Sequence, residues 1–368
     1  MTNYKLKNIA ENFEVTGNFI LGEKFGNGHI NDSFLLEFKN SQRERYVLRR
    51  INRTIFKDPE IVVNNSIAAV NHIKNKLIKE GIRDYEEYVL TFIKTKDQKY
   101  YHKDIDGNYW CLTIFYDDYY TVDFVENTTQ AFSAAKAFGK FQRQLADAPL
   151  NMFKPTIPDF HNLAKRMLSF YDVVAKNPKR RVENAQKEIA DIKNFLWIAA
   201  ENSKLNTNFN IPLRITHNDT KINNVMLHKK TNEGLCVIDL DTVMPGSVLS
   251  DFGDMVRTFT SPVAEDEKDT SKVTMQTNIF EALVKGYMSE LKTELTNDEI
   301  SNLVFGAYLI VFEQAVRFLT DYLAGDVYYR INYPEHNLVR TKNQLALLKS
   351  IDKHSDEMKR IVENVSKN

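Results

Sequence analysis

Cysteine is scarce in this chain of 368 residues, which contains only two. Two cysteines can form neither a disulfide framework nor a cysteine-based metal cluster. Both of them, Cys111 and Cys236, lie in apolar stretches of the sequence, which predicts buried free thiols. Free thiols are typical of proteins in a reducing compartment, so we expect a cytoplasmic protein.

An excess of charge of either sign is also missing. The chain has 49 Lys and Arg residues against 49 Asp and Glu residues, so its formal net charge is zero. Proteins that bind nucleic acids usually carry a basic excess, and this composition therefore predicts no nucleic-acid partner. A charged ligand must be met by a local group of residues, because no overall field attracts it.

Long hydrophobic runs are absent as well. The first 14 residues are polar and charged, which is unlike a secretory signal peptide. The most apolar run, residues 303–312, is too short to cross a bilayer and ends at Glu313. We therefore expect no membrane partner, while the oligomeric state stays open. The content of 43% hydrophobic and 27% charged residues is that of a globular protein with a large core.

The predicted secondary structure changes character about one third of the way along the chain. The first part reads as three strands, a helix and two strands, at residues 19–21, 33–38, 45–51, 58–79, 89–94 and 109–116. The later part is mainly helical, at residues 131–145, 160–175, 182–200 and from 300 onward, with strand-like runs at 213–216 and 235–240. We therefore predict an α+β protein with a small antiparallel β lobe (residues 1–116) and a larger helical lobe (residues 117–368).

The strongest functional signal is the HNDTKINN sequence of residues 217–224, followed by an apolar strand that ends at Asp239. An Asp, an Asn five positions later and a second Asp after a strand are typical of kinase catalytic loops. Phosphoryl transfer from ATP needs a carboxylate that orients or deprotonates the attacking hydroxyl, and oxygen ligands that hold Mg²⁺ on the phosphates. We predict Asp219 as the catalytic base and Asn224 and Asp239 as Mg²⁺ ligands. A polar turn between core strands is the alternative.

A glycine turn and a strand arginine form the predicted nucleotide site. Gly26 and Gly28 lie in the turn after the first strand, where glycine lets the backbone approach a phosphate closely. Arg49 stands on the third strand, where protein kinases carry a phosphate-pairing Lys. An ordinary exposed strand arginine is the alternative, and the neighbouring Arg50 is an equal candidate. We also assign Phe115, at the end of the small lobe, to the nucleotide site.

Two features depart from the protein-kinase pattern. The helix of residues 58–79 offers no Glu to pair with the strand arginine, because Asn64, Asn65 and Ser66 occupy that stretch. This departure leaves open whether ATP is the only phosphoryl donor. The Asp251-Phe252-Gly253 sequence looks like a kinase metal motif but comes twelve residues after Asp239. We interpret Asp251 as a structural carboxylate that braces the catalytic loop.

Several sequence blocks carry a family resemblance. The HNDxxxxN and IDLD motifs resemble those of the aminoglycoside phosphotransferase and choline kinase superfamily. Within it, four longer blocks are similar to the bacterial N-acetylhexosamine 1-kinases, at residues 26–31, 214–221, 238–247 and 333–341. The resemblance covers residues 17–348. It implies a bilobal protein-kinase-like fold, ATP and Mg²⁺ in the cleft, and a sugar held by the larger lobe and phosphorylated on its anomeric hydroxyl.

The same resemblance implies six substrate contacts, namely His29, Asn31, Asp219, Thr242, Arg317 and Tyr328. Asp241 and Thr242 could each touch the metal or the sugar. From the residues alone, Arg317 lies on an otherwise apolar helix and needs a partner, because a buried unpaired arginine is costly. A salt bridge in the core is therefore the alternative to a place in the sugar pocket.

Two other functions compete with this interpretation. The first is a kinase of another small hydroxyl compound, such as a different sugar, choline or an aminoglycoside. A polycationic substrate would favour an acidic pocket. The acidic residues 265–267 offer negative charge, but lysines flank them and we interpret them as an ordinary loop. The second is a non-catalytic kinase-fold protein that binds a nucleotide or a partner. The intact Asp219, Asn224 and Asp239 argue against it.

Overall fold

The computed structural model describes residues 3–26, 30–208 and 211–367. The first elements form a small lobe. Their bounds are α1 (Asn3–Ala10), β1 (Asn18–Lys24), β2 (Asp32–Lys39), β3 (Arg45–Ile51), α2 (Pro59–Lys79), β4 (Phe92–Ile93), β5 (His102–Lys103) and β6 (Tyr109–Ile114). The predicted succession of three strands, a helix and two strands is confirmed, with α1 and the short β5 as additions.

The six strands form one antiparallel sheet of order β1-β2-β3-β6-β4, in which β5 also pairs with β6. Because side chains alternate along a strand, the sheet has two different faces. Leu36, Leu48 and Leu112 are fully buried on the face that packs against α1. Ile51 and Cys111 lie on the other face, in a cluster with residues of α2. Arg49, two residues before Ile51, belongs to this second face.

Helix α2 begins where the sequence predicts. The Asp58 carboxylate accepts hydrogen bonds from the backbone N–H groups of Glu60 and Ile61, at 3.1 and 3.4 Å. Pro59 occupies the first turn, where its missing N–H leaves no bond unmade. The start of the helix is therefore set by local chemistry.

The large lobe contains helices and short strands. In chain order they are β7 (Tyr119–Tyr120), α3 (Thr128–Leu145), α4 (Leu163–Lys176), α5 (Gln186–Asn194), α6 (Trp197–Asn208), β8 (Arg214–Thr216), β9 (Val225–His228), β10 (Gly234–Val237), β11 (Met244–Gly246), α7 (Val248–Phe259), α8 (Thr277–Leu291), α9 (Asn297–Ser301), α10 (Leu303–Ala324) and α11 (His336–Lys367). The α+β prediction, with an antiparallel N-terminal sheet and a helical C-terminal part, is confirmed. The division at residue 116 stays a prediction.

Helix α10 lies at the centre of the large lobe and packs against α4, α7 and α11. The apolar run of residues 303–312 covers only part of this helix, which is 22 residues long. By length and composition alone it could cross a membrane, but 78% of its apolar window is buried inside the protein. Burial of this extent is what a core helix shows.

The crossing of α7 and α10 depends on two glycines. A Cβ at Gly306 of α10 would lie 2.5 Å from the carbonyl oxygen of Leu249 on α7. A Cβ at Gly253 of α7 would collide with the carbonyl of Gly306 in turn. The two helix backbones therefore approach each other more closely than any side chain allows.

Some predicted boundaries are wrong. The helix expected over residues 182–200 is divided into α5 and α6, because Phe195 turns out of the helix and packs into the core. The strand expected over residues 89–94 shrinks to β4, and β9 was missed. The capping box of Thr296 and Glu299 is confirmed and starts α9. Cys111 and Cys236 are buried free thiols as predicted, and burial raises the pKa of each to about 12.

Candidate active site

The candidate site is built on two short strand pairs, β8 with β11 and β9 with β10. One loop runs from β8 to β9 and contains residues 217–224, and a second runs from β10 to β11 and contains residues 238–243. The N–H of Ile238 donates to the carbonyl of Asn224 at 2.9 Å and joins the two loops. The structure thus brings the Asp219, Asn224 and Asp239 segments together, as the sequence predicts.

His217 is a structural part of the first loop. Its Nε2 lies 2.9 Å from the carbonyl oxygen of Ile238, which can only accept, so this nitrogen carries the proton. Its Nδ1 then accepts the N–H of Asp219 at 3.3 Å. The ring packs edge-on against Phe138 and Phe141. The imidazole therefore links the backbone at Asp219 in the first loop to Ile238 in the second.

The Asp219 carboxylate is oriented by two neighbours. The Nδ2 of Asn224 donates to the backbone oxygen of Asp219 at 2.8 Å and to its Oδ2 at 3.1 Å. Lys221 Nζ lies 3.1 Å from Asp219 Oδ1, and this carboxylate raises the pKa of Lys221. The side chain of Asp219 remains 26% exposed, so a substrate hydroxyl can reach it.

Asp251 supports the first loop through hydrogen bonds to its backbone, as predicted. Its Oδ1 accepts the N–H of Asn218 at 2.7 Å, and its Oδ2 accepts the N–H of His217 at 2.9 Å and Nε2 of Gln142 at 2.5 Å. Its backbone carbonyl accepts the hydroxyl of Thr220 at 2.6 Å. Burial raises the pKa of Asp251 despite these donors. Both oxygens of the carboxylate are thus used in supporting the loop.

Replacing Asp251 by Ala is expected to destabilise the protein strongly. The change leaves two backbone N–H groups and the Gln142 amide without an acceptor in a buried place. Each such group costs about 1–3 kcal/mol, so we expect a loss of at least about 3 kcal/mol in the free energy of unfolding, measured by urea denaturation. Asp123→Ala, at an exposed position, is the control. Unchanged stability with complete loss of Mg²⁺-dependent nucleotide binding would contradict this role.

Arg49, and not Arg50, faces the site. Its guanidinium donates to Asp239 Oδ1 at 2.6 Å and also binds Asp241. Burial would raise the pKa of Asp239, but Arg49 and Lys221 outweigh it and the pKa is lowered. Arg50 instead binds Asp32 and lies over the Trp110 ring. Arg49 therefore lies beside the two carboxylates of the second loop, while its contact with a nucleotide stays a prediction.

Asn31 joins the same network from the small lobe. Its Nδ2 donates to Asp241 Oδ2 at 2.5 Å, and its Oδ1 accepts the N–H of Asn52 at 2.9 Å. Asp241 is almost fully buried, so its charge is shared between Asn31 and Arg49. Asn31 was predicted beside the substrate; it lies at the junction of the sheet and the second loop, and a substrate contact stays a prediction.

The donor set fits a hard divalent cation. Asn224 uses its amide nitrogen on Asp219, which leaves its amide oxygen for a ligand, and the Asp239 carboxylate is held ionised. Within the described residues, no group of three or more His, Cys, Asp or Glu side chains is placed to hold a metal alone. Mg²⁺ commonly takes one or two protein oxygens and completes its shell with phosphates and water. These residues match that pattern.

The predicted nucleotide residues are only partly described. Gly28 and His29 lie outside the described residues. Gly26 has φ +75°, a left-handed conformation that favours glycine. Phe115 lies edge-on to Phe25 at 5.7 Å. This aromatic pair is on the small-lobe side, and its contact with a nucleotide stays a prediction.

On the substrate side, Arg317 is surrounded by aromatic rings. Its guanidinium carbon lies 5.2 Å from the Phe160 ring centre, 5.8 Å from Tyr328 and 5.7 Å from Tyr329. Its partner in the same helix is Glu313, one turn earlier, with a nitrogen–oxygen distance of 3.9 Å. Arg317 thus has the core partner that the sequence required, and Tyr328 lies beside it; a sugar contact of either residue stays a prediction.

Thr242 lies in the second loop and is buried. Its hydroxyl donates to the carbonyl of His217 at 2.7 Å, and its own carbonyl accepts Nδ2 of Asn218 at 2.9 Å. These bonds hold the two loops together. A sugar contact of Thr242 stays a prediction.

Sequence reasoning missed several residues around Arg317. Glu313 is buried and accepts Nδ1 of His161 at 3.2 Å. Burial would raise the pKa of Glu313, but His161 and Arg317 outweigh it and the pKa is lowered. The spacing of Glu313 and Arg317, four residues apart on an apolar helix, was a signal that could have revealed this pair. His161, in the turn before α4, gives no such signal.

Asp321 was also missed. Its carboxylate accepts the backbone N–H groups of Val327, Tyr328 and Tyr329 at 2.9, 2.8 and 3.0 Å. Asn337 of α11 donates to it as well, at 2.9 Å. The turn that carries Tyr328 is therefore fixed by one buried carboxylate, a contact that the sequence does not indicate.

The acidic residues 265–267 lie in a loop, as predicted, and two of them form contacts that the local sequence does not indicate. Glu265 Oε2 accepts a hydrogen bond from Arg257 at 3.0 Å, and its Oε1 lies 3.7 Å from Arg340 Nε. Asp266 lies 3.1 Å from Nε2 of the buried His336. Arg340 and His336 are distant from this loop in the sequence, whereas Arg257 lies only eight residues before Glu265. The negative charge of Glu265 is neutralised within the protein.

Buried polar atoms without a hydrogen-bond partner gather in this region. Within the described part of the chain they include His161 Nε2, Arg166 Nε, Asp254 Oδ2, Glu313 Oε2, Tyr333 Oη and Arg340 Nε. Most buried polar groups in native proteins are paired, and a cluster of exceptions indicates a place where water or a ligand completes the bonds. The cluster offers donors and acceptors together.

Comparison with known proteins gives a family match and a fold. Residues 117–271 match the phosphotransferase enzyme family. The chain is similar to a microcompartment-associated aminopropanol kinase, with 14% identity, a TM-score of 0.66, and coverage of 96% of this chain and 98% of that one. It is also similar to choline kinase from Cryptosporidium parvum, with 14% identity, a TM-score of 0.57 and 99% coverage of both chains.

A third structure is spectinomycin phosphotransferase in complex with ADP and spectinomycin. It has 14% identity, a TM-score of 0.56, and coverage of 100% of this chain and 99% of that one. Likeness at this level of identity establishes the shared fold. The chain thus contains a phosphotransferase-family segment, residues 117–271, within the kinase-like fold of these enzymes.

Proposed function

We propose that this protein is an ATP- and Mg²⁺-dependent kinase that phosphorylates the anomeric hydroxyl of an N-acetylhexosamine. Asp219, held by Asn224 and exposed to the cleft, accepts the proton of the hydroxyl. The hydroxyl oxygen then bonds to the terminal phosphorus of ATP as the bond to the leaving ADP oxygen breaks. Mg²⁺ held by Asn224 and Asp239 would neutralise the phosphate charge. Arg49 supplies a fixed positive charge beside them.

The observation that carries the substrate class is the position of Arg317. Cationic ligands such as choline are recognised by aromatic rings that surround the positive charge. In this protein Phe160, Tyr328 and Tyr329 already surround the protein's own guanidinium. A cationic substrate would meet repulsion there, whereas carbonyl and hydroxyl oxygens of a neutral sugar can accept its N–H groups.

The unpaired buried atoms support the same class. Glu313 and Asp254 each present a carboxylate oxygen without a partner among the described residues, and Arg166 presents an N–H. A neutral sugar with an acetamido group offers both hydroxyl donors and a carbonyl acceptor to such a set. The pairing of Glu265 with Arg257 and Arg340 removes the acidic surface that a polycation would need.

A kinase of an amino alcohol is the second candidate, because solved structures with this fold include an aminopropanol kinase and a choline kinase. The unpaired carboxylate oxygen of Glu313 favours it. Arg317 and Arg166, which both lie close to Glu313, oppose it. The cytoplasmic location and the absence of nucleic-acid or membrane partners rest on composition and stay predictions.

We expect N-acetylglucosamine or N-acetylgalactosamine to be phosphorylated with a kcat/KM at least about tenfold above that for glucose and galactose. A site that hydrogen-bonds a group discriminates strongly against analogues that lack it, since its buried polar atoms are then unpaired. Choline and aminoglycosides should be inert and serve as controls. Phosphorus NMR of the product should show coupling to the anomeric proton. Phosphocholine or a sugar 6-phosphate as the preferred product would contradict the substrate assignment.

A further inference from the structure

Helix α2 carries a buried asparagine at the position where the sequence offers no glutamate. Asn65 is only 1% exposed, although it belongs to a helix of the small lobe. Its Nδ2 donates to the carbonyl of Val243 at 2.8 Å and to the carbonyl of Lys154 at 2.7 Å. Its Oδ1 accepts the N–H of Lys154 at 3.2 Å. Both amide ends are therefore bound to backbone of the large lobe.

The next residue makes a parallel contact. The Ser66 hydroxyl lies 3.2 Å from the carbonyl oxygen of Leu240, and it also bonds to the carbonyl of Val62 one turn earlier. Leu240 and Val243 are the two ends of the short helical turn that follows Asp239. Two successive side chains of α2 thus hold both ends of the turn next to the predicted metal ligand.

This turn needs external support. Asp239, at its start, has φ +57°, a left-handed conformation that is uncommon among residues other than glycine. Arg49 holds the carboxylates of Asp239 and Asp241 from the sheet, and Asn218 holds the carbonyl of Thr242 from the catalytic loop. From α2, Asn65 holds the carbonyl of Val243 and Ser66 holds that of Leu240. Holding the turn at these two carbonyls fixes where the Asp239 carboxylate points.

We infer that Asn65, assisted by Ser66, is a positioning residue for the metal-binding turn, and that α2 fixes this turn directly through its backbone. The arrangement replaces a helix glutamate paired with a strand cation, because Arg49 is bound by the turn's own carboxylates. The inference rests on the proposed function only for the role of Asp239 toward Mg²⁺.

The test measures nucleotide affinity with and without Mg²⁺, using a non-hydrolysable ATP analogue and the full chain. Asn65→Ala is expected to reduce the gain in affinity that Mg²⁺ provides by about tenfold or more. Asn64→Ala is the matched control, because Asn64 is an exposed asparagine on the same helix. Ser66→Ala should reduce the Mg²⁺-dependent gain in affinity by a smaller factor. It replaces Asn65→Ala in the test if that variant does not fold. A Mg²⁺ effect on affinity that equals the wild-type value in both variants would overturn the inference.

A double-mutant cycle with Asp239→Asn separates positioning from plain destabilisation. If Asn65 acts through Asp239, adding Asn65→Ala to Asp239→Asn should cause little further loss of the Mg²⁺ effect. Additive losses would mean that Asn65 only stabilises the fold, and would refute the inference. If Mg²⁺ does not change the nucleotide affinity of the wild-type protein, the proposed function is wrong as well. When the wild-type enzyme is active and its nucleotide affinity depends on Mg²⁺, the cycle tests the inference alone.

Discussion

Asp219→Asn is expected to lower turnover on the order of 10²–10⁴-fold, because the substitution keeps the shape of the side chain and removes the proton acceptor. The amide oxygen of the variant can still accept Nδ2 of Asn224, so the loop should keep its geometry. Steady-state turnover with the preferred sugar measures the effect. Thermal shifts caused by the sugar and by an ATP analogue should stay close to those of the wild type.

The control for this change is Asp123→Asn, the same substitution at an exposed position. It should leave turnover unchanged. If Asp219→Asn keeps near-normal turnover, the base is another group and the assignment of Asp219 is wrong. If turnover falls only because the sugar no longer binds, Asp219 acts in substrate binding.

Asp239→Ala is expected to abolish activity and to weaken nucleotide binding in the presence of Mg²⁺. The variant removes one of two proposed protein ligands, and Mg²⁺ sites have few of them. It also releases Arg49, whose charge remains balanced by Asp241 alone. Calorimetric titration with an ATP analogue, with Mg²⁺ and with a chelator, separates the metal-dependent part of the affinity.

Asp251→Ala is the natural comparison for Asp239→Ala, because both remove a carboxylate next to the two loops of the candidate site. Asp251 is buried on α7, whereas the side chain of Asp239 is partly exposed. We expect the free energy of unfolding to fall mainly in Asp251→Ala. The Mg²⁺ dependence of nucleotide binding should fall mainly in Asp239→Ala. The reverse pattern, with Mg²⁺ dependence lost only in Asp251→Ala, would show that the metal ligand was chosen wrongly.

Local chemistry explains why parts of the fold were predictable. The start of α2 follows from Asp58 and Pro59, and the start of α9 from the capping box of Thr296. The strands of the small lobe were predictable from their β-rich runs and the turns between them, whereas the order of the strands in the sheet was not. The boundary between α5 and α6 was missed because it depends on Phe195 packing into a core that the local sequence does not describe.

The same distinction holds for the site. The 217–224 motif predicts which groups lie together, because their spacing along one loop is fixed. The partners of these groups come from distant elements, and no spacing reveals them. Asn65 binds a carbonyl 178 residues away, and Arg49 meets Asp241 across 192 residues. Such contacts depend on how the sheet, α2 and the large lobe are assembled.

The glycine crossing of α7 and α10 has a consequence for motion. Helix α7 carries Asp251, which holds the loop of residues 217–224, and α10 carries Arg317. Because Gly253 and Gly306 bring the two backbones into contact, neither helix can slide without a steric clash. The separation between Asp251 and Arg317 is therefore set by the packing of the two helix backbones.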